Sequence, residues 1–351
     1  MKNNDVYLVS STLHFFWAYM LAKKNGCEIS SHLVLIDQVS GQPLGMTQFL
    51  TKAVTPFCSV TIISGKELSA IKKIKKRLSD FTQIKEFVSN AVIGRVFIGN
   101  DRSVIGQYFI KEAKKVNPAC KACYLDDGVF TYTGRSASKK KSERILDAWF
   151  KRKIYGNWYD TPQTVGASKW IDEVWVMFPR HVSPFLKKKK KVEVLSGIDI
   201  LPLLLPFSEV VLKKTKITSD ELQRVDVFIT LPNQTVFSKI PSYGQGIVDL
   251  VTSLVQRRKR VFIKYHPSAR NSDPLGLEEL GARCIDSQIG FEVLLPYLKN
   301  AHILGDFSTT LLIAQYAGLN MVSTISTDKN SSKSPMSKLC SDLGIETFDL
   351  I

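Results

Sequence analysis

The stretch VYLVSSTLHFFWAYMLAKKNGCEISSHLVLI, residues 6–36, decides the fold class. It opens with the apolar, β-rich run Val6–Ser10 and continues into the apolar helical pattern of Phe15–Lys24. A second β-rich run, His32–Ile36, then follows. Strand, helix and strand in this order are the repeating unit of a parallel sheet. The stretch therefore predicts an α/β protein with a doubly wound sheet.

The same alternation continues to Phe178 and restarts after Arg224. Further strand candidates in the first half are Ser59–Ile63, Arg95–Ile98, Ala122–Leu125 and Glu173–Phe178, with helices over Leu68–Asn90 and Val104–Lys115. The second half repeats the pattern with strands at Val225–Leu231, Arg260–Tyr265, Arg283–Ile285, His302–Leu304 and Asn320–Ser323, and helices at Gly246–Arg258, Phe291–Leu298 and Ser308–Gly318. We expect two Rossmann-like domains that face each other across a cleft.

The segment from Pro179 to about Arg224 interrupts the alternation. It holds the five-lysine run Lys187–Lys191 and several prolines, a composition typical of a solvated connection. We therefore predict an N-terminal domain over residues 1–180, an interdomain segment over 181–224 and a C-terminal domain over 225–351. A length of 351 residues suits two domains of about 150 residues each.

The charge balance indicates an anionic partner but does not identify it. Lys and Arg number 48 against 32 Asp and Glu, a net charge of +16. Such a field attracts nucleic acid, anionic lipid or an anionic substrate. No window reaches the roughly 20 apolar residues that span a bilayer. We expect a cytoplasmic protein and, as a further hypothesis, peripheral association with the anionic inner membrane.

The first candidate for chemistry is Tyr124-Leu125-Asp126-Asp127-Gly128, at the end of a predicted strand. Ligands of open α/β sheets bind beyond the carboxyl ends of strands, where a carboxylate can accept a proton from an attacking hydroxyl. An acidic turn without catalytic function would have the same residues. The pattern alone does not distinguish these interpretations.

Three further candidates lie in the second half. Lys264-Tyr265-His266-Pro267 would bring a cation and an imidazole to a strand tip, where they suit a departing phosphate. Ser308 and Thr309 begin a predicted helix, whose free amides bind anions, although simple capping explains them equally well. Glu292 would bond ribose hydroxyls or complement a helix dipole.

Several familiar motifs are missing from the sequence. There is no DxD pair to hold a divalent metal against a diphosphate, and there is no HExxH, P-loop or complete GxGxxG. A monophosphate leaving group needs less charge neutralisation than a diphosphate does. The sequence therefore predicts no metal site and no cofactor.

Taken in order, D-D-G, K-x-H-P, Glu and Ser-Thr resemble the bacterial sialyltransferases of GT-B fold. The runs Phe97–Ser103, which contains Asn100, and Tyr124–Tyr132 are similar to the polysialyltransferase and lipooligosaccharide sialyltransferase group. From Phe97 to Thr309 these motifs span some 210 residues, and the region between Lys139 and Arg224 offers no landmark.

The resemblance implies an inverting transfer of a sialic-acid-type sugar, without metal, from a CMP donor to an anionic glycan or glycolipid acceptor. It makes Asp126 the general base, with Asp127 and Gly128 holding the turn, although the two adjacent carboxylates are hard to tell apart. His266 would stabilise the leaving phosphate. The donor would be bound by the remaining residues of the motifs, namely Lys264, Pro267, Glu292, Ser308 and Thr309.

Two other interpretations stay open. Transferases of CDP-glycerol, which are phosphotransferases, carry a His-Pro and a motif like Asp306–Thr309, but they have a second histidine segment that neither His14 nor His32 clearly supplies. A basic nucleic-acid-binding protein without activity would explain the charge. It would leave the strand-end motifs unexplained, and no nucleic-acid-binding signature is present, so we expect no nucleic-acid partner.

Overall fold

A computed structural model describes residues 4–38, 45–63, 70–134, 141–269, 271–326 and 334–349. The chain forms two compact units that divide between Ser196 and Gly197. Each unit has its own parallel sheet and its own apolar core. The predicted α/β class is confirmed.

The first unit contains seven strands and the helices between them. The strands are β1 (Asn4–Val9), β2 (Ser30–Ile36), β3 (Ser59–Ile63), β4 (Ile93–Ile98), β5 (Lys121–Leu125), β6 (Glu173–Val176) and β7 (Lys190–Glu193). The helices are α1 (Thr12–Asn25), α2 (Ala70–Ser89), α3 (Val104–Val116), α4 (Val129–Thr133) and α5 (Lys141–Tyr155), with 3₁₀ turns at Gly45–Phe49 and Pro184–Leu186.

The strand order of this sheet reverses at its centre. The order is β3-β2-β1-β4-β5-β6-β7, and every pairing is parallel. Val6 of β1 pairs with His32 on one side and Val96 on the other. Because β1 and β4 carry their helices to opposite sides, a crevice opens beyond their carboxyl ends. The loops after β1, β4 and β5 border this crevice.

Helix α1 explains the apolar run that opens the sequence. The Ser11 side chain caps the helix by accepting a hydrogen bond from the His14 amide at 3.3 Å. Every residue from His14 to Ala22 is buried, so the helix has no solvent face. A helix that is apolar all round belongs in the interior of a domain.

The second unit contains six strands. They are β8 (Val227–Thr230), β9 (Val261–Lys264), β10 (Arg283–Ile285), β11 (His302–Gly305), β12 (Met321–Ser326) and β13 (Glu346–Asp349). Its helices are α6 (Gly197–Leu212), α7 (Ser219–Gln223), α8 (Thr235–Lys239), α9 (Pro241–Gln256), α10 (Phe291–Leu294), α11 (Thr309–Tyr316) and α12 (Pro335–Asp342), with a 3₁₀ turn at Leu295–Tyr297.

This sheet repeats the reversal seen in the first unit. The order is β10-β9-β8-β11-β12-β13, again wholly parallel. The switch point lies between β8 and β11. The loops after β9 and β11, which carry the His-Pro and Ser-Thr motifs, therefore lie on either side of the loop after β8.

The segment 181–224, predicted as an interdomain connection, is divided between the two units. Lys190 and Lys191 begin β7, the edge strand of the first sheet, and the units divide between Ser196 and Gly197. Helix α6 follows, although it contains Pro202 and Pro206. It buries Ile200, Leu204, Phe207 and Val211, and this apolar stripe stabilises it despite the missing amide donors.

The lysine run is also less solvated than its composition indicates. The Lys189 ammonium donates to the Ser168 carbonyl at 2.9 Å and to that of Ile171. Lys190 forms an ion pair with Glu173 at 2.8 Å. Burial lowers the pKa of Lys189. No helix within the described ranges is both long and apolar enough to cross a bilayer.

Candidate functional site

In the first unit, the D-D-G motif forms the turn that follows β5. Gly128 has a φ of +69°, a left-handed conformation that favours glycine, and α4 begins directly after it. The Asp127 amide donates to the Thr131 hydroxyl at 3.0 Å. This sharp turn directs two adjacent carboxylates into different surroundings.

The Asp126 carboxylate is fully buried and satisfied by the protein. Its Oδ1 accepts from the Gly128 amide at 2.8 Å, and its Oδ2 accepts from the Met177 amide at 2.9 Å and from the Tyr132 hydroxyl. Burial raises the pKa of Asp126 to about 6, against the lowering effect of these hydrogen bonds. Asp126 thus joins the turn after β5 to the end of β6, and it has no exposed surface that an acceptor substrate could contact.

The Asp127 carboxylate has the opposite surroundings, since its side chain is 20% exposed. Its Oδ1 lies 3.0 Å from Nε2 of His14, a buried residue in the first turn of α1. An ionised carboxylate only accepts hydrogen bonds, so Nε2 is the donor. Within the described residues Oδ2 has no partner. The resemblance implied Asp126 as the base without distinguishing it firmly from its neighbour; the structure buries Asp126 and leaves Asp127 partly exposed.

Gly99, at the end of β4, makes room for His14. A Cβ at this position would lie 2.0 Å from Nε2 of His14 and within 2.2 Å of two other ring atoms. Only glycine lets the imidazole lie flat against this strand end. Neither His14 nor Gly99 was predicted as a site residue. Both follow one of the two central strands, β1 and β4, and this position could have indicated them.

Asn100 shapes the loop after β4, and within the described residues it forms no hydrogen bond with Asp127. Its side-chain oxygen accepts from the Arg102 amide at 3.2 Å, and its carbonyl accepts from the Ser103 amide at 3.1 Å. Ser103 then caps α3 by accepting from Gly106. Asn100 is therefore a turn residue in this structure.

In the second unit, Lys264 ends β9 as a buried cation. Its ammonium donates to the Ser287 carbonyl at 2.9 Å. Burial lowers the pKa of Lys264 to about 8, while Glu292 and Asp286 act to raise it. Burial likewise raises the pKa of Glu292, in the first turn of α10, and Lys264 counteracts this rise. The predicted donor-binding pair thus lies close enough for electrostatic interaction.

His266 lies on the exposed loop after β9. Its Nδ1 accepts from the Ser268 amide at 3.2 Å and lies 2.8 Å from the Ser268 hydroxyl. Burial, followed by the nearby Lys264 charge, lowers the pKa of His266. The imidazole is therefore neutral at pH 7. Since Nδ1 is an acceptor, the proton is on Nε2, which can donate to a ligand.

Two hydrogen bonds that were not predicted from the sequence hold the loop of His266. The Gln288 amide donates to the Pro267 carbonyl at 2.9 Å, and Asn233, beyond β8, donates to the Ser268 hydroxyl at 2.5 Å. Pro267 itself is exposed. Three loops at the carboxyl edge of this sheet are therefore connected by hydrogen bonds.

Ser308 is the N-cap of α11, but its side chain makes no capping hydrogen bond. Its Oγ is buried and has no hydrogen-bond partner within the described residues. A buried hydroxyl without a partner is costly, and an exogenous acceptor at the start of α11 would satisfy it. Asp306 accepts from the Phe307 amide at 2.7 Å, and burial raises the pKa of Asp306.

The spacing of the sheet relates His266 to Ser308. Strand β8 separates β9 from β11, so the two loops begin about 10 Å apart. A ligand that contacted both residues would extend across the end of β8. This edge offers hydrogen-bond donors and a cation, which suits a phosphate.

Comparison with known proteins shows the fold. No protein-family model matches the chain, and no curated protein matches it in sequence. Among solved structures it is similar to an alpha/beta-galactoside alpha-2,3-sialyltransferase from Photobacterium phosphoreum, with 12% identity, a TM-score of 0.59, and coverage of 100% of this chain and 99% of that one.

Epimerases have a similar structure. A UDP-GlcNAc 2-epimerase from Methanocaldococcus jannaschii has 11% identity and a TM-score of 0.56, covering 99% of this chain and 89% of that one. The enzyme from Neisseria meningitidis bound to UDP-GlcNAc has 12% identity and a TM-score of 0.56, covering 99% and 87%. The chain therefore has a GT-B-type fold of two Rossmann-like units.

Proposed function

We propose that the protein is a glycosyltransferase, and more narrowly an inverting sialyltransferase that takes a sialic-acid-type sugar from a CMP donor. The acceptor is a cell-surface glycan of the lipooligosaccharide, lipopolysaccharide or capsule class. One observation carries the proposal: three of the four motifs, D-D-G, K-x-H-P and Ser-Thr, lie at or just beyond the carboxyl ends of β5, β9 and β11. This edge is where such sheets bind ligands.

The first unit supplies the base in this proposal. Asp127 has a free carboxylate oxygen, and the buried His14 fixes its other oxygen. The acceptor hydroxyl gives its proton to Asp127 as its oxygen forms a bond to the anomeric carbon. The bond from that carbon to the phosphate oxygen breaks, and its electron pair leaves with CMP. A single displacement inverts the configuration.

The second unit binds the nucleotide in this proposal. Nε2 of His266 donates to the departing phosphate, and the Ser308 hydroxyl at the start of α11 donates to another of its oxygens. Thr309 belongs to the same turn. Lys264 and Glu292 also belong to the nucleotide site in this proposal, where Glu292 accepts hydrogen bonds from the ribose hydroxyls. These groups need no divalent ion, so we propose a reaction without metal or other cofactor.

The test compares donors under chelating conditions. The full chain is incubated with EDTA and with CMP-sialic acid, CDP-glycerol or UDP-GlcNAc, using galactose-terminated and sialylated acceptors in parallel. Mass spectrometry should show one added sialic acid or a series of them. Product from UDP-GlcNAc alone would refute the donor class, and turnover that requires added magnesium or manganese would refute the metal-free mechanism.

A second candidate, a phosphotransferase that uses CDP-glycerol, gains support from His14. Enzymes of this kind need a second histidine, and His14 lies against Asp127. Release of CMP does not separate the two reactions, because both produce it. ³¹P NMR of the product does, since only the phosphotransferase forms a phosphodiester in the acceptor.

A further inference from the structure

Helix α5 has an uncovered apolar half. Five of its large apolar side chains are between 42% and 67% exposed, namely Ile145, Leu146, Trp149, Phe150 and Ile154. They follow one another at intervals of one, three, one and four residues, which places all five on one half of the helix. A contiguous exposed surface of this kind marks an interaction site.

The opposite half of α5 is fixed against the first unit. The Lys151 ammonium pairs with Asp147 at 2.8 Å and lies 5.4 Å from the ring centroid of Tyr159. Tyr155 accepts from Arg77 at 3.1 Å, and its ring contacts that of Phe81. The contacts with Tyr159, Arg77 and Phe81 hold this half against the first unit, and among the described residues nothing covers the apolar half.

The exposed half has the chemistry of an interfacial helix. The rings of Trp149 and Phe150 lie edge to face, with centroids 5.1 Å apart. The Lys153 ammonium lies 4.6 Å from the Trp149 ring centroid, in the middle of the apolar half. Trp and Lys both have an apolar body and a polar end, which suits the boundary between lipid tails and headgroups.

Charge favours an anionic lipid surface as the partner. Residues 139–155 include seven Lys and Arg against two Asp and Glu. A second copy of the chain would bring the same excess of positive charge to the interface, and like charges repel. An anionic membrane attracts basic residues and accepts the apolar side chains at once.

We propose that α5 is the membrane-binding element of this protein and lies in the surface of an anionic bilayer. Ile145, Leu146, Trp149, Phe150 and Ile154 enter the boundary of the acyl chains, and Lys153 meets the headgroups. The run Lys187–Lys191 is not part of this surface, because Lys189 and Lys190 are engaged within the first unit. Binding to lipid needs neither donor nor acceptor, so its outcome is independent of the proposed transferase reaction.

The first test measures sedimentation of the full chain with vesicles of phosphatidylglycerol in phosphatidylcholine and with phosphatidylcholine alone. Binding to the anionic vesicles should weaken with salt, since the Debye length shrinks to about 10 Å at 0.1 M. Leu146→Gln/Phe150→Gln should reduce the partition coefficient at least about tenfold. Phe185→Gln/Ile240→Gln, at similarly exposed apolar residues elsewhere, should bind as the unmodified chain does.

The second test locates the contact with brominated phosphatidylglycerol, which quenches tryptophan fluorescence at close range. Quenching should occur in the unmodified chain and be lost in Trp149→Phe, which should retain binding. Equal binding to both kinds of vesicle, or unchanged binding of Leu146→Gln/Phe150→Gln, would overturn the proposal. So would a dimer in lipid-free solution that this double variant abolishes, because α5 would then be a protein interface.

Discussion

The carboxyl edges of the two sheets carry different chemical groups. In the first unit the edge offers a carboxylate, Asp127, whose position is set by the buried His14 and the close approach of Gly99. In the second unit the edge offers two donors, the imidazole of His266 and the hydroxyl of Ser308. A carboxylate held in a fixed position suits the removal of a proton. Hydrogen-bond donors suit a phosphate whose negative charge increases.

The comparison also separates two neighbours in the sequence. Asp126 and Asp127 have the same chemistry, but the turn after β5 buries one and exposes the other. Burial converts a carboxylate into a structural crosslink, and partial exposure leaves it available for reaction. The following experiments test these assignments, beginning with the largest expected effect.

Asp127→Asn should remove most turnover while CMP affinity changes little. The loss of a general base typically lowers the rate about 10²- to 10⁴-fold. Steady-state kinetics and calorimetry with CMP provide the two measurements. Asn keeps the size of the side chain, so thermal stability serves as the control. A rate within a few-fold of normal would mean that Asp127 is not the base.

Asp126→Asn should instead destabilise the first unit. Its amide group would face N–H donors from Gly128 or Met177, and a buried donor without a partner costs about 1–3 kcal/mol. Because the folded pKa of Asp126 is raised to about 6, the native state binds its proton more tightly than the unfolded state does. The contribution of this group to stability therefore falls as pH rises from about 4 to 6.

Denaturant unfolding at several pH values measures this difference. The dependence on pH between 4 and 6 should be weaker in Asp126→Asn than in the unmodified chain. Preserved stability together with lost turnover would return the role of base to Asp126.

Gly99→Ala should disturb His14 and, through it, Asp127. The new Cβ would overlap the imidazole, and overpacking costs typically about 1–3 kcal/mol. Gly45→Ala is the matched control, since nothing lies within 4 Å of a Cβ there. If His14 transmits the effect, the rate losses of Gly99→Ala and His14→Ala should not add in the double variant. Additive losses would show that Gly99→Ala lowers the rate through residues other than His14.

The smallest expected effect concerns pH and the second unit. The pKa of Lys264 is lowered to about 8, so its charge disappears as pH rises through that value. CMP affinity should decline above pH 8, and the Lys264→Met variant should show no such decline. His266 is already neutral at pH 7 because its pKa is lowered. His266→Ala should therefore weaken CMP binding by a similar factor at pH 7 and pH 8. Calorimetry at these pH values gives both results.

Local sequence patterns were enough to locate the strands that bear the motifs. The bounds of Ser59–Ile63 and Arg283–Ile285 agree with prediction, and the other strands of the prediction differ by a few residues at their ends. Apolar runs of this length are strands of a buried parallel sheet, and their polar boundaries are visible in the sequence. The region from Lys139 to Arg224 was interpreted less well. Its β7 is a charged edge strand, and its α6 contains two prolines.

The sequence by itself determined the alternation of strands and helices, and with it the positions of the D-D-G, K-x-H-P and Ser-Thr motifs after strand ends. Only the tertiary structure decided which of the two adjacent carboxylates is exposed. Asp126 is buried because it accepts hydrogen bonds from Tyr132, in the next helix, and from Met177, at the end of the neighbouring strand β6. The tertiary structure also decided that His14 reaches Asp127 across 113 positions, and that α5 leaves its apolar half uncovered. Period and propensity act over a few residues, whereas burial and hydrogen-bond partners are set by elements that meet only in the folded chain.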